Sequence, residues 1–213
     1  MPIKTVDDLF LNELKDIYSA EKQAIRAYPR LAKAVQSEEL KQALQEHLEQ
    51  TKGQIERLDR VFEKLEKRSG GTTCEAMKGL LEEAAEHVEE IESGSVLDAA
   101  LLAGMQRVEH YEIAAYGTVV AFAEAMGQPE IQQLLEQTLQ EEKETDQKLT
   151  EVSRNVNKEA IGGGEEQDEE EEDEEQDDEE EGDEEEEEDE DEGKAAPKKA
   201  AAKKSAVKKS AKK

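Results

Sequence analysis

Glu109 and Glu112 stand one helical turn apart in Glu109-His110-Tyr111-Glu112-Ile113-Ala114-Ala115-Tyr116. The face they share is otherwise Leu102, Met105, Tyr116, Val120 and Ala123. Carboxylates at core positions are unfavourable unless they are paired or bind metal. A second stretch echoes the first. Glu21 is followed four residues on by Ile25 and seven on by Tyr28, just as Glu109 is followed by Ile113 and Tyr116. Glu142 and Asp146 occupy the inward stripe of a later segment. Acids gathered in an apolar layer repel, and some stay protonated, unless cations neutralise them. Iron or manganese ions accept such oxygen ligands, and when bridged by carboxylates they keep open positions for dioxygen or peroxide.

Four long helices must position these acids. The first begins near Thr5, an N-cap followed by Asp7 and Asp8, and turns inward Phe10, Leu14, Ile17, Glu21, Ala24/Ile25, Tyr28, Leu31 and Val35. Pro29 lies inside it and is expected to kink it. Ser37 caps the second helix, which carries Leu40, Leu44, His47, Thr51, Gln54/Ile55, Leu58, Val61/Phe62 and Leu65, with Gly70-Gly71 expected to stop it. Residues 69–94 are too long for a simple turn and hold a short amphipathic helix over 73–91. The third long helix runs from about Ser95 to Met126, with Gly127 as its stop, and the fourth starts at Pro129. Helix pair, long crossover, helix pair is the ferritin-like topology. The predicted fold is therefore all-α: a ferritin-like four-helix bundle over residues 1–160, with a crossover helix and a disordered C-terminal tail.

Helices of about 30 residues are about 45 Å long. Their midpoints fall near residues 21, 53, 111 and 143. Midpoints meet at one level in a bundle whichever way the helices run. Glu21, Glu109, Glu112, Glu142 and Asp146 should therefore converge in a central layer. The second helix offers Gln50 and Gln54 near this level, with His47 about a turn away. The candidate metal ligands are Glu21, His47, Gln50, Glu109, Glu112, Glu142 and Asp146. Each has a plainer reading. Glu142 lies in the acid-rich run Glu141-Glu142-Lys143-Glu144 and could face solvent. Glu112 could pair with a basic residue. His47 could be a hydrogen-bonded core histidine. Tyr28 and Tyr116 read as core residues whose hydroxyls have partners, and His110 falls one step off the stripe.

At these residues the chain resembles the YciE/YciF family of ferritin-like stress proteins. The matching runs are Tyr18-Ser-Ala-Glu-Lys-Gln23, His47-Leu-Glu-Gln-Thr-Lys-Gly-Gln-Ile-Glu-Arg57, Gly79-Leu-Leu-Glu-Glu-Ala84, Val108-Glu-His-Tyr-Glu-Ile-Ala114, Glu141-Glu-Lys143 and Thr145-Asp146. The resemblance implies a di-iron site built from Glu21, Glu109 and/or Glu112, Glu142 and Asp146. It also implies homodimerisation and a ferroxidase activity in stress, while the layer of acids itself points to oxidation of Fe(II) or consumption of peroxide. Gln50 stands where members often carry a second Glu, and an amide oxygen is a weaker, neutral ligand. No Glu-x-x-His motif is present. A dimeric bundle without turnover is thus the alternative.

The rest of the chain is unevenly charged. Residues 165–192 hold 25 acids in 28 positions, and 193–213 hold nine Lys and no acid. With a total of −29, residues 1–164 carry −29 + 25 − 9 = −13. The acidic segment, 161–193, is expected to be disordered. The basic tail, 194–213, resembles a linker-histone tail in composition. Without Arg or aromatic residues it could bind DNA only weakly and nonspecifically. A single cysteine, Cys74, excludes an intramolecular disulfide, and no apolar run could act as a signal or span a membrane. The expected location is cytoplasmic, with nucleoid association through the lysine tail as an addition.

Overall fold

The computed structural model describes residues 3–162. The acidic run and the lysine tail, and the disorder expected of them, lie outside the described residues. Five helices follow in order: α1 (Val6–Ala34), α2 (Glu38–Lys64), α3 (Glu75–Glu90), α4 (Ser95–Ala125) and α5 (Pro129–Gly162). The fold is the expected all-α, ferritin-like bundle, with α3 in the crossover between the second and third long helices.

Local chemistry sets the helix ends. Thr5 and Asp8 form a reciprocal capping box at the start of α1. The Ser37 hydroxyl accepts from the Leu40 amide to start α2. The α1–α2 turn is also held from outside. Buried Asp98 of α4 accepts the backbone N–H groups of Gln36 and Ser37 at 2.9 and 2.7 Å. Helix α1 runs through Pro29 unbroken. The end of α4 is as predicted, with Gly127 left-handed (φ 65°) and the Gln128 amide reaching back to the Ala123 carbonyl. The end of α2 is not. It stops at Lys64, before Gly70-Gly71, and the left-handed residue beyond its cap is Glu66, whose φ is 56°, with the Lys67 amide bonded to the Phe62 carbonyl. The same backward hydrogen bond closes both helices, so the closure overrides the residue preference at Glu66.

The long helices pack in the cyclic order α1, α2, α5, α4, and α3 covers the α1–α4 side. Neighbours run antiparallel. Arg57 meets Thr138 while Asn155 meets Glu39 between α2 and α5, and Phe10 meets Phe122 while Tyr116 meets Glu21 between α1 and α4. Two apolar cores fill the bundle. One gathers Phe10, Leu14, Leu58, Phe62, Tyr116 and Leu135, the other Tyr28, Leu40, Leu44, Leu101, Met105 and Leu149. On α1 the first core ends at Ile17 and the second begins at Ala24. The polar layer lies between them. Helix α3 buries only Met77 and Ala84 fully, because a single face of it meets the bundle, and Leu80, Leu81 and Val88 are half-buried.

Candidate metal centre

Four helices each bring a side chain to the layer between the cores. His47, Glu109, Glu112 and Glu142 are all buried, and one ligand atom from each lies within 4.8 Å of the others. Glu21, 1% exposed, completes the set of buried acids. Its Oε1 accepts a 2.5 Å hydrogen bond from the Tyr116 hydroxyl, and its Oε2 has no partner. Both oxygens of Glu109, Glu112 and Glu142 are likewise buried without a hydrogen-bond donor. Glu109 Oε1 lies 3.2 Å from His47 Nε2, yet the angles are not those of a hydrogen bond and both atoms remain unpartnered.

The electrostatics follow from this burial. Desolvation holds Glu21, Glu109 and Glu112 well above the usual carboxylate range, and the charges of neighbouring acids, Glu142 among them, add to it. Burial pushes Glu142 up to about 7, opposed by Glu109 and by the positive charge of Arg57. Burial also lowers His47 to about 4, so its ring is neutral near pH 7. Its Nδ1 lies 3.4 Å from the Thr145 hydroxyl. That hydroxyl has the Glu141 carbonyl and Gln50 Oε1 as acceptors for its own proton, which leaves its oxygen free to accept from Nδ1–H. This tautomer leaves the lone pair of Nε2 facing the carboxylates, the form a metal ligand requires.

The donor set fits metal ions. Neutral imidazole and carboxylate oxygens suit first-row transition metals. A buried carboxylate stripped of water and donors is unfavourable by several kcal/mol. Glu109, Glu112 and Glu142, with Glu21 held by a single donor beside them, need protons or cations.

Two expected ligands are not part of this cluster. Gln50 is exposed and its amide oxygen accepts from Thr145, so it stands on the rim behind His47. Asp146 is half-buried at the α4–α5 edge, with Oδ1 3.1 Å from exposed His110 Nε2. It follows Thr145, which takes the position facing His47, while Asp146 Oδ1 is buried without a hydrogen-bond partner and its charge adds to that acting on Glu109. Gln54 is the amide of α2 at the centre. It is 0% exposed, donates to Glu141 at 3.3 Å, and keeps Oε1 unpartnered. Two plainer readings fail. Glu142 is fully buried rather than solvated, and Glu112 has no basic partner.

Residues 5–161 match the family described as a domain of unknown function, DUF892. The chain belongs to the DUF892 family. Protein YciF of Escherichia coli strain K12 is 51% identical over 162 residues, which span 75% of this chain and 98% of YciF. The crystal structure of the E. coli stress protein YciF aligns with a TM-score of 0.70 at 50% identity, over 72% of this chain and 98% of that one. YcfI of Rhodopseudomonas palustris aligns at 0.68 and 47% identity, over 70% and 94%. A Xanthomonas campestris protein, 22% identical, shares the fold at a TM-score of 0.63. The resemblance drawn from the motifs is borne out.

In this DUF892 protein, helical register held signals that the candidate set omits. Arg57, 7% exposed, lies three residues after Gln54 on the same face, and binds Thr138 at 2.5 Å and Glu141 at 2.6 Å. Asp98 sits four residues before Leu102 on the inward stripe of α4. The hydroxyl bonds of Tyr116 and Thr145 join residues far apart in sequence, and spacing alone could not pair them. No helix among the described residues is long and apolar enough to cross a membrane.

Proposed function

We propose that this protein binds a pair of divalent transition-metal ions, iron foremost and manganese as the other candidate, between Glu21, His47, Glu109, Glu112 and Glu142. The observation that carries this is the convergence of buried, unpartnered carboxylate oxygens on one space beside a histidine. Charge sets the number of ions. Four ionised carboxylates balance two divalent cations when His47 is neutral, whereas a single ion leaves two buried negative charges. Bound iron would supply open coordination positions and one-electron redox chemistry. The activity proposed is oxidation of Fe(II) or consumption of peroxide, in the stress setting that YciF's description suggests.

The chain's own residues prepare the site. Tyr116 orients Glu21 through one oxygen and leaves the other free. Thr145 fixes the tautomer of His47. Arg57 and Glu141 close the layer on the side of the Phe10 and Leu58 core, and the guanidinium favours the ionised form of Glu142. The two apolar cores exclude bulk water from both ends.

Elemental analysis tests the reading. Protein expressed with iron and manganese both available should carry about two metal ions per chain, the number of the ferritin-like carboxylate centres. The Glu109→Gln, Glu112→Gln double variant should keep its helical circular dichroism and lose the metal. Glu142→Ala should bring oxidation of added Fe(II) down to the uncatalysed rate. Full metal content in the double variant, or none in the parent protein, overturns the reading.

One observation favours a second reading, a bundle without turnover. The Glu-x-x-His pairs typical of ferritin-like centres are split here. Leu44 stands three residues before His47, and Thr145 three residues after Glu142. YcfI is described only as a candidate structural protein. Metal bound at full occupancy with no Fe(II)-dependent turnover would select this reading. A homodimer, the assembly we propose in either case, is checked by sedimentation velocity.

A further inference from the structure

Two seams of the bundle approach the carboxylate layer from outside. Between α2 and α5, Glu46, Gln50, Glu144 and Lys148 line a groove with Thr145 on its wall. Between α1 and α2 lies a groove of about 390 Å³ and different character. Pro29, Ala32, Leu44 and Leu48 form its apolar walls, Lys33 and Lys41 add positive charge, and Tyr28 also lines it.

Tyr28 connects this groove to the site. It is 1% exposed, and its ring centroid lies 5.3 Å from that of His47. Its hydroxyl is buried and has no hydrogen-bond partner. Tyr116, its counterpart in the seven-residue echo, donates to Glu21. A tyrosine hydroxyl, with an ordinary pKa of about 10, carries its proton at neutral pH. It is therefore an O–H donor beside the cluster with nothing to donate to. A buried hydroxyl left so is unfavourable, and phenylalanine would fill the same space without that penalty.

We propose that the α1–α2 groove is the way in for dioxygen, and that the Tyr28 hydroxyl is the hydrogen-bond donor that receives it beside the metal ions. This rests on the two-metal reading above. Charge selects the guest. Lys33 opposes the approach of a cation, Lys41 being paired with Glu38 at 2.5 Å, and apolar walls disfavour a solvated anion. A neutral diatomic molecule meets neither barrier. In the other seam Glu46 is paired with Lys148, which leaves Glu144 as its net negative charge and suits a cation instead.

Stopped-flow mixing of the Fe(II)-loaded protein with nitric oxide, a neutral diatomic of similar size, tests this, with iron content measured for every variant. Ala32→Trp should slow association by filling the groove. Gln45→Trp, at its exposed edge, should slow it less, and decides the matter if Ala32→Trp does not fold. Glu144→Trp, in the other seam, should leave the rate unchanged. Tyr28→Phe should bind as much iron as the parent and release nitric oxide about fivefold faster, the loss expected of one hydrogen bond. Unchanged association in the groove variants, slowing by Glu144→Trp alone, or unchanged release from iron-replete Tyr28→Phe overturns the proposal while leaving the two-metal reading intact. Absence of iron from the parent protein overturns both.

Discussion

At the scale of single residues, protonation and metal compete for the same oxygens. Glu142 has a carboxyl pushed up to about 7 from an ordinary 4.5, and burial also holds Glu21, Glu109 and Glu112 well above the usual carboxylate range. Such groups bind protons more tightly folded than unfolded. Their contribution is complete below the unfolded value and is lost as pH rises through the folded one. Glu142 alone accounts for a loss on the order of 3 kcal/mol between those two values. His47 works in the opposite sense. Held at about 4 against an ordinary 6.5, it weakens the fold as pH falls below 6.5. Four carboxyls outweigh one imidazole. The chelator-treated protein is therefore expected to melt lower at about pH 8 than at about pH 5.5. Metal reverses the order, since it displaces the protons and binds better as pH rises. Thermal melts with and without metal at both pH values check this, and a metal-free protein that is more stable at the higher pH contradicts it.

At the scale of helices, the inward stripes read from spacing coincide with the buried faces of α1, α2, α4 and α5. Helix periodicity is a local property, and the apolar residues declare it. What spacing could not supply is the direction of a polar side chain at the edge of a stripe. Thr145 and Asp146 are adjacent, and only packing against α2 and α4 turns Thr145 to His47 and Asp146 to His110. Backbone closure likewise overrode composition at the end of α2, where Glu66 takes a left-handed conformation that glycine would adopt more readily. Glu66→Gly should stabilise the bundle by about 1 kcal/mol, the strain relieved at one left-handed residue. Urea denaturation measures it, and a lowered midpoint would show that the Glu66 side chain contributes more than its backbone loses.

At the scale of the whole chain, a bundle carrying −13 over residues 1–164 is joined to an acidic run and then to nine lysines. The lysines can release counterions from DNA phosphates, but the neighbouring acids compete for them. Weak retention on DNA–cellulose at low salt is expected, vanishing steeply as salt rises and abolished by deleting residues 193–213. Equal retention of the truncated protein would assign any DNA affinity to the bundle itself.

The sequence by itself determined the helical class, the pairing of helices through a long crossover, and the level at which Glu21, Glu109, Glu112 and Glu142 meet. Each of these follows from period, length and midpoint, which are properties of one helix at a time. Only the tertiary structure decided which polar groups face one another across helices. It moved Gln50 and Asp146 to the rim, placed Gln54 and Arg57 beside the acids, set Asp98 under the α1–α2 turn, and left the Tyr28 hydroxyl without an acceptor. Those outcomes depend on the rotation of each helix about its axis, and that rotation is fixed by packing against its neighbours rather than by its own residues.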